Sequence, residues 1–311
     1  MDHDRSGSRG FRRVVTVPET ASTQDDLHDA LVRGEEGWPH LSALRALRQT
    51  AGRGRQGRSW QTPAEGALTV SVVLRPLVGA DRLDWLPLVA GLAVRESLLP
   101  LTEGVPWRLG LKWPNDVVAV PEGADVPDVP GWAGTRKVAG VLAELVVPGV
   151  GPASSAEGAA AGRDGSQGAA ADEAAACRVQ APGVVLGIGV NVGQDSEGLP
   201  VPWATSLRLL GSSARPEDVM ALLGRTLAAR VGQWEDAGGD PDAGDGHLGR
   251  ELRAVCTTLG QQVSVRSPAG VVRGTARDVT PELVVDTPDG PQCLRAGEVS
   301  VRRQDLSETT L

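Results

Sequence analysis

A chain of 311 residues, 41% of them hydrophobic, can bury one large domain and one small one. Its net charge of −8 argues against general nucleic-acid binding, which needs a basic surface, and no run approaches the ~20 apolar residues that a membrane helix requires. Cys177, Cys256 and Cys293 show neither metal-ligand spacing nor a disulfide framework, His3, His28, His40 and His247 are scattered, and the first ten residues lack the apolar stretch of a signal peptide. A cytoplasmic protein without a zinc site is expected.

In chain order, residues 1–10 read as a disordered tail. Phe11 to Val17 reads as a strand, and Pro18-Glu19-Thr20-Ala21 leads into a helix at Ser22-Thr23-Gln24-Asp25-Asp26. Ser22 with Asp25, or Thr23 with Asp26, has the spacing of a capping box, and Leu27, Ala30 and Leu31 follow at helical intervals. This first turn is either a plain cap or a place where free N–H groups and hydroxyls hold a polar ligand. Leu41 to Leu47 reads as a strand feeding the stretch Gln49-Thr50-Ala51-Gly52-Arg53-Gly54-Arg55-Gln56-Gly57-Arg58-Ser59-Trp60. Its glycines let the backbone turn and approach a ligand, and its arginines carry forked donors for carboxylate or phosphate. Such a loop suits a small anion.

Ala67 to Leu74 is β-branched and bounded by Gly66 and Pro76, so it reads as a strand. Asp81 to Leu99 reads as one helix with Pro87 in its early turns, followed by strand, turn and strand around Lys112-Trp113-Pro114-Asn115-Asp116. Residues 121–135 read as a surface loop, Arg136 to Val147 as a strand, and residues 148–182 as an Ala/Gly/Ser-rich mobile excursion. Val184 to Val192 is a strand interrupted by Gly187 and Gly189. Helices are expected over Pro216–Trp234 and His247–Leu259. After Gly260 the segments 263–266, 271–279, 283–286 and 292–301 are short and β-rich, with a hairpin signal at Asp289-Gly290, and read as a small barrel.

Five of these segments, Ser22-Thr23-Gln24, Gln49 to Trp60, Lys112 to Asp116, Lys137 to Glu144 and Gly187 to Asn191, resemble in order and spacing the biotin–protein ligases over roughly residues 11–305. The resemblance implies an α/β fold: a mixed-sheet biotin/lipoate ligase catalytic domain, class II tRNA synthetase-like, over 11–259, and a C-terminal SH3-like β-barrel over 260–311. It implies activation of biotin by ATP and Mg²⁺ to biotinyl-5′-AMP, then transfer to a lysine of a biotin carboxyl carrier domain. Arg55, Lys137 and Asp116 match catalytic positions. Ser22, Thr23, Gln24, Gln49, Arg53, Gly54, Arg55 and Lys137 match biotin-binding positions. Arg53, Gly54, Arg55, Gly57, Arg58, Trp60, Lys112, Asn115, Asp116 and Asn191 match positions around ATP and the adenylate, with Asp116 also a candidate Mg²⁺ contact. Trp60 is read either as a ligand contact or as an anchor for the loop, and Asn191 as lying behind the contact residues. The loop itself is expected to be a flexible lid with few contacts until an anion satisfies its arginines.

The chain departs from the family pattern at Gln24, where Asn is usual, and at Gln56, where some members carry a further arginine. About ten residues precede the first strand, too few for a winged helix-turn-helix, so a monofunctional enzyme without specific DNA binding or membrane attachment is expected, as a monomer or homodimer. A lipoate or octanoate ligase of the same fold, a non-enzymatic biotin-sensing regulator and a catalytically weakened homologue are the competing readings.

Overall fold

In a computed structural model, residues 10–62, 66–123, 126–146, 183–267, 270–295 and 297–302 are described. The expected tail and the expected 148–182 excursion therefore lie, but for Gly10, outside the described residues. The main unit is a seven-stranded sheet in the order β1-β2-β3-β7-β6-β5-β4. Its strands are β1 (Arg13–Thr20), β2 (Ser42–Gln49), β3 (Ala67–Leu74), β4 (Trp107–Lys112), β5 (Asp116–Pro121), β6 (Arg136–Val146) and β7 (Gly183–Asn191). Only β1 and β2 pair in parallel. The first strand runs on through Pro18, because β1 lies at the sheet edge, where a residue without N–H costs no ladder bond.

Strand β3 is buried along its whole length, which its run of Val, Leu and Thr suits. Alternation sends Leu68, Val70, Val72 and Leu74 into the large core shared with helices α2 (Leu86–Leu98) and α3 (Pro216–Asp236). Val73 points the other way, to a smaller core with Leu27 and Leu31 of helix α1 (Thr23–Val32). The sheet thus lies between two helical layers, and α1 covers only part of its face.

Three expected elements differ in the structure. The helix over 81–99 divides into a 3₁₀ turn (Ala80–Trp85) and α2, because Pro87 lacks the N–H that a continuous helix would use and instead occupies the first turn of a new one. The helix from His247 stops at Val255, giving α4 (His247–Val255), since Cys256 is extended and the Thr257 N–H turns to Leu111 O at 2.7 Å. The strand over 292–301 divides into β11 (Gly290–Leu294) and β12 (Glu298–Arg302). Gly297 between them passes so close to β8 (Gln262–Ser267) that a Cβ would lie 2.6 Å from Val265 Cγ1.

With β9 (Gly270–Val279) and β10 (Leu283–Thr287), these strands form an antiparallel sheet ordered β11-β10-β9-β8-β12. It joins the main unit through the turn after β4. Trp113, 2% exposed, donates from its backbone N–H to Thr258 Oγ1 at 3.0 Å and from Nε1 to Pro281 O at 2.9 Å. Within the expected 121–135 surface loop, residues 126–135 are tied down: Val129 bridges Ala133, and Gly131 O accepts from Val301 N–H at 3.1 Å. No helix among the described residues is long and apolar enough to cross a membrane.

Candidate active site

The site lies on the sheet face that α1 leaves uncovered. The period of two places Gly187 and Gly189 of β7 on the same side, with Ser71 and Thr69 of β3 opposite them in one direction and Leu142 and Gly140 of β6 in the other. These glycines hold space. A Cβ on Gly187 would lie 2.6 Å from Oε1 of Gln24, and one on Gly189 would lie 2.5 Å from Cζ2 of Trp60.

The first cavity opens over this strip. Its end wall is the start of α1. Ser22 is the N-cap and accepts from the Asp25 N–H at 3.3 Å, which fixes the next two side chains toward the sheet. Gln49 Oε1 accepts from both the N–H and Oγ1 of Thr23, at 2.8 and 3.0 Å. Thr23 Oγ1 and Ser71 Oγ are 2.8 Å apart, and Ser71 Oγ donates to Gln24 Oε1 at 3.2 Å. Gln24 is buried, and its Nε2 donates to Glu144 Oε2 at 2.9 Å and Val185 O at 3.0 Å.

The arginine–glycine stretch forms the lid of this cavity as a small hairpin. Arg53 bridges Ser59, Gly54 N–H donates to Arg58 O, and Trp60 N–H donates to Gly52 O, the last two at 2.7 Å. Gln56, with φ 56°, and Gly57, with φ 72°, make its tip. The expectation that the arginines wait unpartnered for an anion is corrected here. Arg53 pairs with Asp25 and with Glu144 at 2.6 Å, Arg55 donates to Asn115 Oδ1 at 3.2 Å, and Arg58 reaches Glu298 of the C-terminal sheet at 3.1 Å. The Asp25 hydrogen bond raises the pKa of Arg53 above its ordinary value, whereas burial lowers that of Arg55.

A second cavity lies on the other side of a shared wall. Arg55, Trp60, Asn115 and Lys137 face both spaces. Lys137 Nζ lies 2.6 Å from Asp116 Oδ1, an ion pair without the alignment of a hydrogen bond, and 5.4 Å from the centre of the Trp60 ring. Asn115 is fixed by donating from Nδ2 to Val141 O at 2.6 Å. The Trp60 Nε1–H is buried and has no acceptor among the described residues. Trp132 and Trp203 stack at the far end, ring centres 6.0 Å apart and nearly parallel.

Most of the residues singled out in the sequence thus meet around two adjoining cavities. Two do not. Lys112 lines neither: its buried ammonium donates to Val299 O at 2.7 Å and sits 3.7 Å from the Trp132 ring centre, and burial pushes its pKa down to about 8. Strand β4 ends against the C-terminal sheet, so its last side chain points to the joint and into neither cavity. Gly57, at the hairpin tip, also lines neither cavity. Asn191 lines the second cavity but spends its amide on Thr205 O and Gln194. Sequence reasoning did not single out Ser71, Trp132, Trp203 or the role of Glu144. The alternation of Thr69 and Ser71 with large apolar residues in β3 is a signal that could have found the first.

Comparison with known proteins agrees with this geometry. Residues 19–151 match the family model "Biotin/lipoate A/B protein ligase family", and residues 258–302 match "Biotin protein ligase C terminal domain". The chain is 34% identical over 296 residues to a biotin–[acetyl-CoA-carboxylase] ligase of Mycobacterium tuberculosis (strain ATCC 25618 / H37Rv), covering 93% of this chain and 89% of that protein. It is 31% identical over 261 residues to a biotin–[acetyl-CoA-carboxylase] ligase of Paracoccus denitrificans, covering 82% and 88%. A solved biotin protein ligase from Aquifex aeolicus, in complex with biotin and ATP, superposes with a TM-score of 0.65 at 25% identity, covering 94% of this chain and all of that one. With two family models matched in order and a relative above 30% identity along nearly its whole length, this chain belongs to the biotin–protein ligases of the biotin/lipoate A/B protein ligase family.

Proposed function

We propose that the two cavities bind biotin and ATP, that the shared wall joins them as biotinyl-5′-AMP, and that the biotinyl group then passes to a lysine of a biotin carboxyl carrier domain, that of acetyl-CoA carboxylase. The observation that carries this reading is the wall itself. Arg55, Lys137, Asn115 and the unpartnered Trp60 N–H converge where a carboxylate in the first cavity would meet an α-phosphate in the second. The carboxylate oxygen attacks phosphorus and pyrophosphate leaves. Arg55, Lys137 and Trp60 supply donors for the charge that gathers on the phosphoryl oxygens, in a site that the hairpin closes to water.

In the second step the carrier amine attacks the acyl carbon, the bond to AMP breaks and an amide forms. Asp116 accepts a hydrogen bond from the amine, orients it and takes its departing proton toward solvent. Ser22, Thr23, Gln24 and Gln49 hold the ring of biotin, with Arg53 and Gly54 above it. Trp132 and Trp203 offer faces for the base. Mg²⁺ arriving with nucleotide phosphates needs one or two protein carboxylates. Asp116 is the carboxylate lining the second cavity, so these residues fit such an ion, which would offset phosphate charge.

We assign the catalytic unit to residues 11–259 and the barrel to 260–311. The break between the two sheets and the span of the second family match support this division. The full chain, ATP, Mg²⁺ and biotin should label a purified carrier domain, and lipoate or octanoate should not replace biotin. Labelling by lipoate alone would overturn the reading.

A further inference from the structure

Glu144 lines neither cavity, yet it joins three parts of the first one. Its Oε2 accepts from Gln24 Nε2 at 2.9 Å, while its Oε1 and Oε2 accept from Arg53 at 2.6 and 3.2 Å. The Gln24 amide is consequently fixed in one orientation. Turned over, its oxygen would face two acceptors, Glu144 Oε2 and Val185 O, where Nε2 now donates. With both N–H groups used behind the wall, only Oε1 is left toward the cavity, held by one hydroxyl, Ser71 Oγ at 3.2 Å. Gly187 makes this possible, because a Cβ there would lie 2.6 Å from that oxygen and close the space in front of it.

We infer that Glu144 is a positioning residue for substrate choice: through Gln24 it sets one wall of the acid-binding cavity as a hydrogen-bond acceptor, so that the site selects an acid whose far end carries N–H donors, such as a cyclic urea, over one whose far end is purely apolar. The inference rests on the reading of the first cavity as the biotin site and adds the residue that fixes its polarity. A site built to hydrogen-bond a polar group rejects an analogue lacking it far more strongly than an apolar pocket rejects an extra polar group. Glu144→Gln keeps the shape but can present an N–H to Gln24, which leaves Val185 O alone to hold the amide and lets a donor turn toward the cavity.

The test is steady-state pyrophosphate exchange by the full chain with biotin and with octanoate. In Glu144→Gln the KM for biotin should rise about tenfold to a hundredfold, as expected for leaving a buried N–H of the ligand without its acceptor. The KM for ATP should stay within about twofold, and any low rate with octanoate should not fall. Equal rises for biotin and ATP, an effect on kcat alone, or no effect would each overturn the inference, because each would place Glu144's action elsewhere. A measurement independent of that variant's folding uses the wild-type chain. The side-chain NH₂ resonances of Gln24, assigned by their loss in Gln24→Glu, should exchange slowly with solvent both free and with biotin added. Exchange at the rate of a solvated amide would refute the fixed orientation. Should the wild-type chain fail to exchange pyrophosphate with biotin, the functional reading fails, while the amide measurement still decides whether Glu144 and Val185 lock Gln24.

Discussion

A single methyl group on Gly189 tests how far the site depends on the bare strip of sheet. Built on that strand, it would lie 2.5 Å from Cζ2 and 2.8 Å from Nε1 of Trp60, whereas carbon atoms settle at roughly 3.5–4.0 Å. One side must move by about 1–1.5 Å. The strand is held on both flanks, Gly189 facing Thr69 of β3 and Gly140 of β6, so the indole must yield. Overpacking of this kind costs about 1–3 kcal/mol. The hairpin can lift as one piece, so Gly189→Ala should lose near the lower figure in denaturant unfolding. The catalytic loss should be larger. A misplacement of about 1 Å at a positioning group can cost ~100-fold, and Trp60 shares its wall with Arg55 and Lys137. We expect kcat/KM for biotin-dependent pyrophosphate exchange to fall by about that factor. Gly232→Ala is the control: nothing lies within 4 Å of its added Cβ inside α3, so activity should hold and stability rise by up to about 1 kcal/mol. A folded Gly189→Ala protein with wild-type rates would refute the reasoning that Trp60 is seated by this glycine.

Lys137→Met should abolish pyrophosphate exchange and also destabilise by roughly 2 kcal/mol, less than for a fully buried pair because both Lys137 and Asp116 keep some exposure; calorimetry of Lys137→Met/Asp116→Asn should recover much of the stability without activity, and full recovery of activity would remove Lys137 from the chemistry. Arg55→Ala should cost far more activity than Arg58→Ala, and a double-mutant cycle on the exposed Arg58–Glu298 pair should give coupling below about 1 kcal/mol. Lys112 supplies a pH test. Its folded pKa of about 8 lies below the ordinary lysine value, so the unfolded chain binds more protons between the two. The penalty for its burial is full below about pH 8 and is relieved as pH rises toward the unfolded value, so unfolding free energy measured relative to Lys112→Met should rise from pH 8 to 10; a flat difference would mean that burial is not what shifts it.

The elements that fix the architecture were legible because their signals are local. The β-branched run of β3 and the run of β7 are written within a few residues, and so is the cap at Ser22. The glycines and arginines of residues 49–60 were legible as a loop, which the structure forms as a hairpin, but its arginines are partnered already within the protein. What stayed hidden depends on distant partners. Gln24 meets Glu144 across 120 positions and Lys112 meets Val299 across 187, and no local period encodes either pairing. The same holds for Trp132. Its segment is rich in turn-forming residues and reads as loop, yet tertiary contacts with Lys112, Trp203 and Val301 give it a place in the second cavity. Pro87 was read as tolerated within one helix, but the missing N–H made it the start of another.

The joint between the two units has a consequence for how the chain can diverge. Lys112 and Trp113 reach across to carbonyl oxygens, those of Val299 and Pro281. Every residue type carries such an oxygen. The C-terminal sheet can therefore exchange side chains at these positions and still receive the same two donors, provided its backbone path is kept. Asn115 and Asp116 follow directly in the same turn and line the second cavity, so the wall proposed to carry the chemistry is anchored to a partner surface that evolution can rewrite without releasing it.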